Sequence, residues 1–184
     1  SKTFNLQVYM KGGLTEENSQ NNGIYNLLVG LLNSETENFS KGENEFFFES
    51  LAASFSSFSG KNAYGLNLSG LSDEFQSLSE RFFEHLLYSK FTQDDLDFEK
   101  IMVHQSLEAQ KEDPVRQCFN QVAKMAFDDH PYHLKNIGTK KSIDTVESLQ
   151  LKQLHEHNLN SKSILFVFSG PIEAKKVSKL IKDE

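Results

Sequence analysis

Apolar and polar positions alternate with a period of two from residue 3 to residue 10. Phe4, Leu6, Val8 and Met10 fall on one side and Asn5, Gln7 and Tyr9 on the other, the pattern of a half-buried strand. Gly12, Gly13 and the polar run through Asn22 predict a loop. From Gly23 to Asn33 the chain is apolar nearly all round, which predicts a buried helix. Residues 43–53 predict a second helix with Phe47 and Leu51 inward. Residues 54–59 and 63–70 predict paired strands around the turn Gly60-Lys61-Asn62, with Tyr64, Leu66 and Leu68 alternating against Gly65, Asn67 and Ser69.

The pattern then turns helical. Ser72 is placed to cap a helix whose first turn holds Asp73 and Glu74, where the helix dipole favours acids, and whose apolar face is Phe75, Leu78, Phe82 and Leu86. Thr92 with Asp95 resembles a capping box that opens a helix over 93–111, and Pro114 ends or kinks it. Further helices are predicted over 115–127 and 146–157, separated by a loop that starts at His130 and runs past Gly138. Ile164-Leu165-Phe166-Val167-Phe168 suits a strand buried on both faces. Gly170-Pro171 starts a last helix with Val177, Leu180 and Ile181 inward. The order of elements predicts an α+β fold: a mixed, mainly antiparallel sheet with helices packed on one face.

A chain of 184 residues fits one domain, here residues 1–184. It opens on a strand and closes on a helix that both belong to the core, which predicts a piece of a longer protein. Sixteen Phe and no Trp, many at core-like spacings, make the aromatic content packing material. The net charge of −7 and the lack of a basic stripe argue against nucleic acid as a partner. No apolar run approaches the roughly 20 residues that span a bilayer, so a soluble protein is expected. Cys118 is the only cysteine, which rules out an internal disulfide. A cytoplasmic or a periplasmic location agrees with that.

At five places the chain resembles a unit of the pitrilysin/insulinase family of zinc metallopeptidases. Gly12-Gly13 followed by Gly23-Ile24 is similar to the family's glycine-containing strand and active-site helix. Leu68-Ser69-Gly70-Leu71 is similar to its strand-to-helix passage. Glu112-Asp113-Pro114 resembles the end of its long helix, with one spacer residue missing. His130-Pro131-Tyr132 with Gly138-Thr139 resembles its HPY…GT loop, and the apolar strand ending at Gly170 resembles the strand that opens its second segment. The five pieces occur in the family's order along nearly the whole chain.

Catalytic units of this family carry H-x-x-E-H. Two histidines four apart share one helix face and reach one zinc ion. The glutamate polarises the zinc-bound water, and a glutamate from a distant helix completes the ligand set. Laid on this chain, the first His falls on Asn26, the Glu on Val29 and the second His on Gly30. Counting back from Pro114 places the distant Glu near Ser106, with Glu108 competing for the position. The resemblance therefore implies a non-catalytic unit with degenerate positions Asn26, Val29, Gly30 and Ser106. It implies no metal in this chain, and zinc in an active half that lies in the same chain or in a separate subunit. The two halves would enclose a peptide substrate. A purely structural subunit of the same fold, as in respiratory assemblies, is the second reading, and an unrelated α+β enzyme the third.

The other polar features have simpler readings. His130 and His133 are three apart, and His155 and His157 two apart; two apart on a helix they point about 200° away from each other. Solvated histidines are the expectation for these four, and surface or boundary positions for His85 and His104. Ser69 lacks the Gly-x-Ser-x-Gly frame of a nucleophile elbow. Asn38-Phe39-Ser40 and Asn67-Leu68-Ser69 match glycosylation sequons, which matter only in a eukaryotic secreted protein. Gly12, Gly13 and Gly23 form no phosphate loop. Cys118 is expected to be packed, and Asp94, Asp95, Asp97 and Glu99 to form a solvated helix start favoured by the dipole.

Overall fold

The computed structural model of the chain describes residues 2–160 and 163–183. In chain order they form strand β1 (Thr3–Lys11), helices α1 (Ile24–Leu32) and α2 (Lys41–Ser50), strands β2 (Ser54–Ser59) and β3 (Ala63–Leu71), helices α3 (Phe75–Leu87), α4 (Gln93–Lys111), α5 (Pro114–Ala126), α6 (Lys140–Asp144) and α7 (Ser148–Leu159), strand β4 (Ile164–Ser169) and helix α8 (Ala174–Asp183). The sheet order is β2-β3-β1-β4, and every described pairing is antiparallel. In register, Leu6 faces Leu68 on β3 and Phe168 on β4.

The alternation in β1 sorts its two faces. Phe4, Leu6, Val8 and Met10, with Tyr64, Leu66 and Leu68 of β3, are buried beneath α1, α3 and α7. On the opposite face Asn67 Oδ1 accepts from Asn5 Nδ2 (2.9 Å) and Gln7 Nε2 (3.0 Å), and Tyr9 donates to Gln7 (2.8 Å). The helices thus pack on one face of an α+β sheet. Among the described residues no helix is long and apolar enough to cross a membrane.

Several local expectations change. Strand β4 is not buried on both faces. It lies at the sheet edge, Phe166 and Phe168 pack against Phe83 and Phe4, and Leu165 and Val167 stay 60% and 40% exposed on the face without helices. Ser72 does not cap α3, because residues 72–74 form a tighter 3₁₀ turn ahead of it and the Ser72 hydroxyl is buried without a partner. Helix α2 starts earlier than expected, capped by Ser40 with Glu43 in a reciprocal box, and it buries Asn44 and Phe48 while Phe47 is only half-buried. Helix α6 was hidden by its five-residue length. Cys118 is exposed, since α5 buries none of its residues. The expected break at Pro114 is present: Asp113 caps α5, its carboxylate accepting from Val115 N and Arg116 N at 3.0 Å.

Candidate functional site

Helix α1 is set by its N-terminal end. Gly23 precedes it at φ +90°. The buried carboxylate of Glu17 accepts from Gly23 N (2.8 Å) and Tyr25 N (3.1 Å), two helix-start donors without intrahelical partners, and from Asn22 Nδ2 (2.8 Å). Burial raises the Glu17 pKa, and those hydrogen bonds oppose the rise. Sequence reading placed Glu17 in a polar loop; its role as a cap from outside the helix leaves no spacing signature.

The loop after His130 holds the same end. Gly138, at φ +83°, packs against Gly23, and Ser142 donates to Asn22 O (2.7 Å). Thr139 and Ser142 cap α6 reciprocally. Tyr132 donates to Asn62 Oδ1 (2.8 Å) at the β2–β3 turn, and Lys61 Nζ lies 4.5 Å from the centre of its ring. The HPY…GT residues are therefore a clasp that joins the start of α1 to a hairpin turn.

On α1, Val29 is buried and Asn26 and Gly30 are half-buried. Valine offers no donor atom to a metal and no group to move a proton, and glycine has no side chain at all. The space beside Gly30 is filled by Glu99 of α4: a β-carbon at Gly30 would lie 2.6 Å from Glu99 Oε2. Burial raises the Glu99 pKa, Lys41 opposes the rise and Asp95 adds to it. Ser34 donates to Asp95 Oδ1 (2.6 Å), pinning the segment after α1 to the start of α4.

Ser106 is exposed and stands seven residues beyond Glu99, about two turns, on the same side of α4. Glu108, nine residues beyond, falls on the opposite side and pairs with Lys111 at 2.7 Å in solvent. Of the two, only Ser106 shares the Glu99 side of α4.

Two histidines are core residues rather than surface ones. His85 is 1% exposed and donates from Nδ1 to Leu32 O (2.9 Å) at the end of α1. His155 is 2% exposed and donates from Nε2 to Leu86 O (2.7 Å) near the end of α3. Each satisfies a carbonyl in a last helical turn, which lacks an intrahelical partner. Burial lowers both pKa values, that of His85 to about 4. Elsewhere His104 meets Asp144 at 2.8 Å, His130 Nδ1 accepts from Tyr132 N, His133 donates to His130 O, and His157 is exposed. Among the described residues no three His, Cys, Asp or Glu side chains are grouped to hold a metal ion.

The antiparallel sheet, the helices stacked on one of its faces and the buried, glycine-led α1 define a peptidase-type α+β unit. The sequence matches the insulinase family, peptidase family M16, over residues 1–140, and the chain belongs to that family. A protease from Helicobacter pylori is similar over 100% of this chain and 44% of its own, at 19% identity and a TM-score of 0.91. A peptidase M16 inactive domain from Pseudomonas fluorescens is similar over 99% and 44%, at 22% identity and a TM-score of 0.91. The periplasmic protease PqqL of Escherichia coli is similar over 99% and 21%, at 18% identity and a TM-score of 0.87. Subunit 1 of the mitochondrial cytochrome b-c1 complex of Caenorhabditis elegans is 23% identical over 173 residues, 94% of this chain and 37% of that protein. The chain thus spans less than half the length of each of these relatives.

Proposed function

We propose that this chain is a non-catalytic unit of an insulinase-type zinc peptidase, forming the wall of a peptide-binding chamber opposite a unit that carries H-x-x-E-H. One observation supports the reading: the positions on α1 that the resemblance aligns with ligand, base and ligand hold Asn26, Val29 and Gly30, and the Glu99 side chain fills the space beside Gly30. Ser106, on the Glu99 side of α4, is the degenerate counterpart of the distant glutamate. Zinc belongs to the active half, in the same chain or in a separate subunit, and the substrate is a peptide.

The test is to isolate the native protein that contains this chain and assay oligopeptide cleavage. The reading expects chelator-sensitive cleavage that requires an H-x-x-E-H unit in the same chain or in a co-purifying one. Chelator-sensitive cleavage by the lone chain, with contaminating protease excluded, would overturn it. The likeness to a cytochrome b-c1 subunit favours a second reading, a scaffold subunit with no peptidase role. A native assembly without any H-x-x-E-H unit would select that one.

A further inference from the structure

One face of α5, Arg116, Phe119 and Ala123 at helical spacing, borders a cleft of about 350 Å³ that the clasp after His130 and the β2–β3 turn close on the other sides. The cleft collects positive charge in a chain whose net charge is −7. Lys61, Arg116 and Lys135 line it from three separate parts of the chain, and no Asp or Glu is among its described lining residues. A cleft lined by charge of one sign focuses its field and concentrates the opposite charge.

Little in the fold neutralises these cations. Lys61 and Lys135 take part in no ion pair among the described residues. Lys61 Nζ instead lies 4.5 Å from the centre of the Tyr132 ring, a contact that holds the ammonium at the cleft wall and leaves its charge in place. Arg116 Nε is 3.9 Å from Asp113 Oδ2, beyond hydrogen-bond reach, and Asp113 Oδ1 is taken up in capping α5. The guanidinium keeps its donors for a further carboxylate, whose two oxygens match its planar fork. The remaining walls narrow the ligand. Phe119, which is 70% exposed, Tyr132 and Ile137 give the cleft apolar surface beside its charges. Inorganic phosphate gains nothing from such walls, whereas an anion on an apolar body buries that body against them.

We propose that this cleft binds a carboxylate carried on an apolar body. The carboxylate accepts from Arg116, Lys61 and Lys135 supply the surrounding positive charge, and the apolar body lies against Phe119 and Ile137. The C-terminus of a peptide with an apolar last residue and an acidic side chain next to an apolar one share this chemistry. The site goes beyond the chamber-wall reading and does not depend on it.

The test follows the backbone amides of the chain by ¹H–¹⁵N NMR at pH 7, in dilute solution at low salt. Two probes are titrated separately: Nα-acetyl-phenylalanine, whose only carboxylate is terminal, and Nα-acetyl-glutamyl-phenylalanine amide, whose only carboxylate is on a side chain. Saturable shifts confined to amides 116–123 and 134–137 with either probe support the site, and the probe that acts identifies the source. Neutral Nα-acetyl-phenylalanine amide is expected to leave those amides unmoved, and inorganic phosphate to bind more weakly than the active probe. The doubly substituted Lys61→Gln/Arg116→Gln chain changes only exposed side chains. It should bind at least about threefold more weakly, the scale of exposed charge pairs. Lys135→Gln, on a different segment, should weaken binding in the same direction. No saturable shift with either carboxylate probe would overturn the proposal. So would equal binding of the neutral amide, equal or tighter binding of phosphate, or unchanged affinity in either variant.

Discussion

Gly30 of α1 and Glu99 of α4 share one space: a β-carbon on Gly30 would lie 2.6 Å from Glu99 Oε2 and 2.7 Å from its Cδ. The absence of a side chain at one position is what lets the carboxylate lie at the other. The contact is with the far end of a flexible side chain, and burial already disfavours the charged form of that carboxylate. Rotation of Glu99 into solvent is therefore cheap. Alanine within a helix is better than glycine by roughly 0.5–1 kcal/mol. Gly30→Ala should leave urea-measured stability unchanged or raise it by up to about 1 kcal/mol. A loss of more than about 1 kcal/mol would show that Glu99 is fixed in place.

The two core histidines make the fold acid-sensitive. His85 has an ordinary value of 6.5 lowered to about 4 in the fold. A depressed pKa gives stability that is present above the unfolded value and lost as pH falls through the folded one. His85 alone contributes on the order of 3 kcal/mol across that window, and His155 acts in the same direction. Glu17 acts oppositely: its raised pKa gives stability present below the ordinary carboxylate value and lost as pH rises through the raised one. Glu99 acts as Glu17 does, and the large shift of His85 sets the sign on acidification from pH 6.5 to 4.5. The urea midpoint should fall over that range, and His85→Phe should flatten the fall while costing stability at pH 7 through the unpaired Leu32 carbonyl. An unchanged slope in His85→Phe would contradict this account of His85.

Gly138 should tolerate no side chain. A β-carbon there would lie 2.5 Å from Asn22 O and 3.0 Å from Gly23 Cα, in a backbone at φ +83°. Both the clash and the left-handed conformation cost free energy, and the opposing atoms are main chain that cannot swing away. Gly138→Ala should lower stability by at least about 2 kcal/mol in urea unfolding. A near-neutral result would mean that the clasp on α1 yields readily.

Helix α5 carries an apolar stripe with no cover among the described residues. Val115, Phe119 and Val122 recur at helical spacing, and Phe119 and Met125 are 70% and 84% exposed. Exposed patches of this kind drive association. Sedimentation of the isolated chain should show its average mass rising with concentration, and Phe119→Ser with Met125→Ser should suppress the rise. A chain that stays monomeric across the range would show that the stripe is well tolerated in water.

Much of the architecture was legible in the sequence because it rests on local periodicity. The alternation in β1 and β3 gave both strands and their buried faces. The Thr92–Asp95 pair gave the start of α4, where Thr92 Oγ1 accepts from Asp95 N at 3.1 Å. What remained hidden depends on partners distant in sequence. An apolar run reads alike in a central strand and in an edge strand such as β4. A histidine in a helix looks solvated until the carbonyl it caps, Leu32 O for His85 and Leu86 O for His155, is brought beside it. Cys118 was expected to be packed from its place near the middle of a helix, yet the contacts of α5 with α4 and with the turn at residues 131–133 bury none of its residues. The positions Asn26, Val29, Gly30 and Ser106 came from a resemblance. Glu99 and Asp95 were expected in a solvated helix start and are instead half-buried, because only the packing of α4 on α1 brings Glu99 to Gly30 and Asp95 to Ser34.

The most direct test of the central claim is the zinc content of the purified chain, prepared without a metal-binding tag, equilibrated with zinc and gel-filtered. On the proposed alignment of Asn26, Val29 and Gly30 with ligand, base and ligand, the chain should hold zinc at well below one ion per molecule. Stoichiometric zinc would contradict the claim, and His130, His133, His155 and His157 would be the first residues to substitute in finding where it binds.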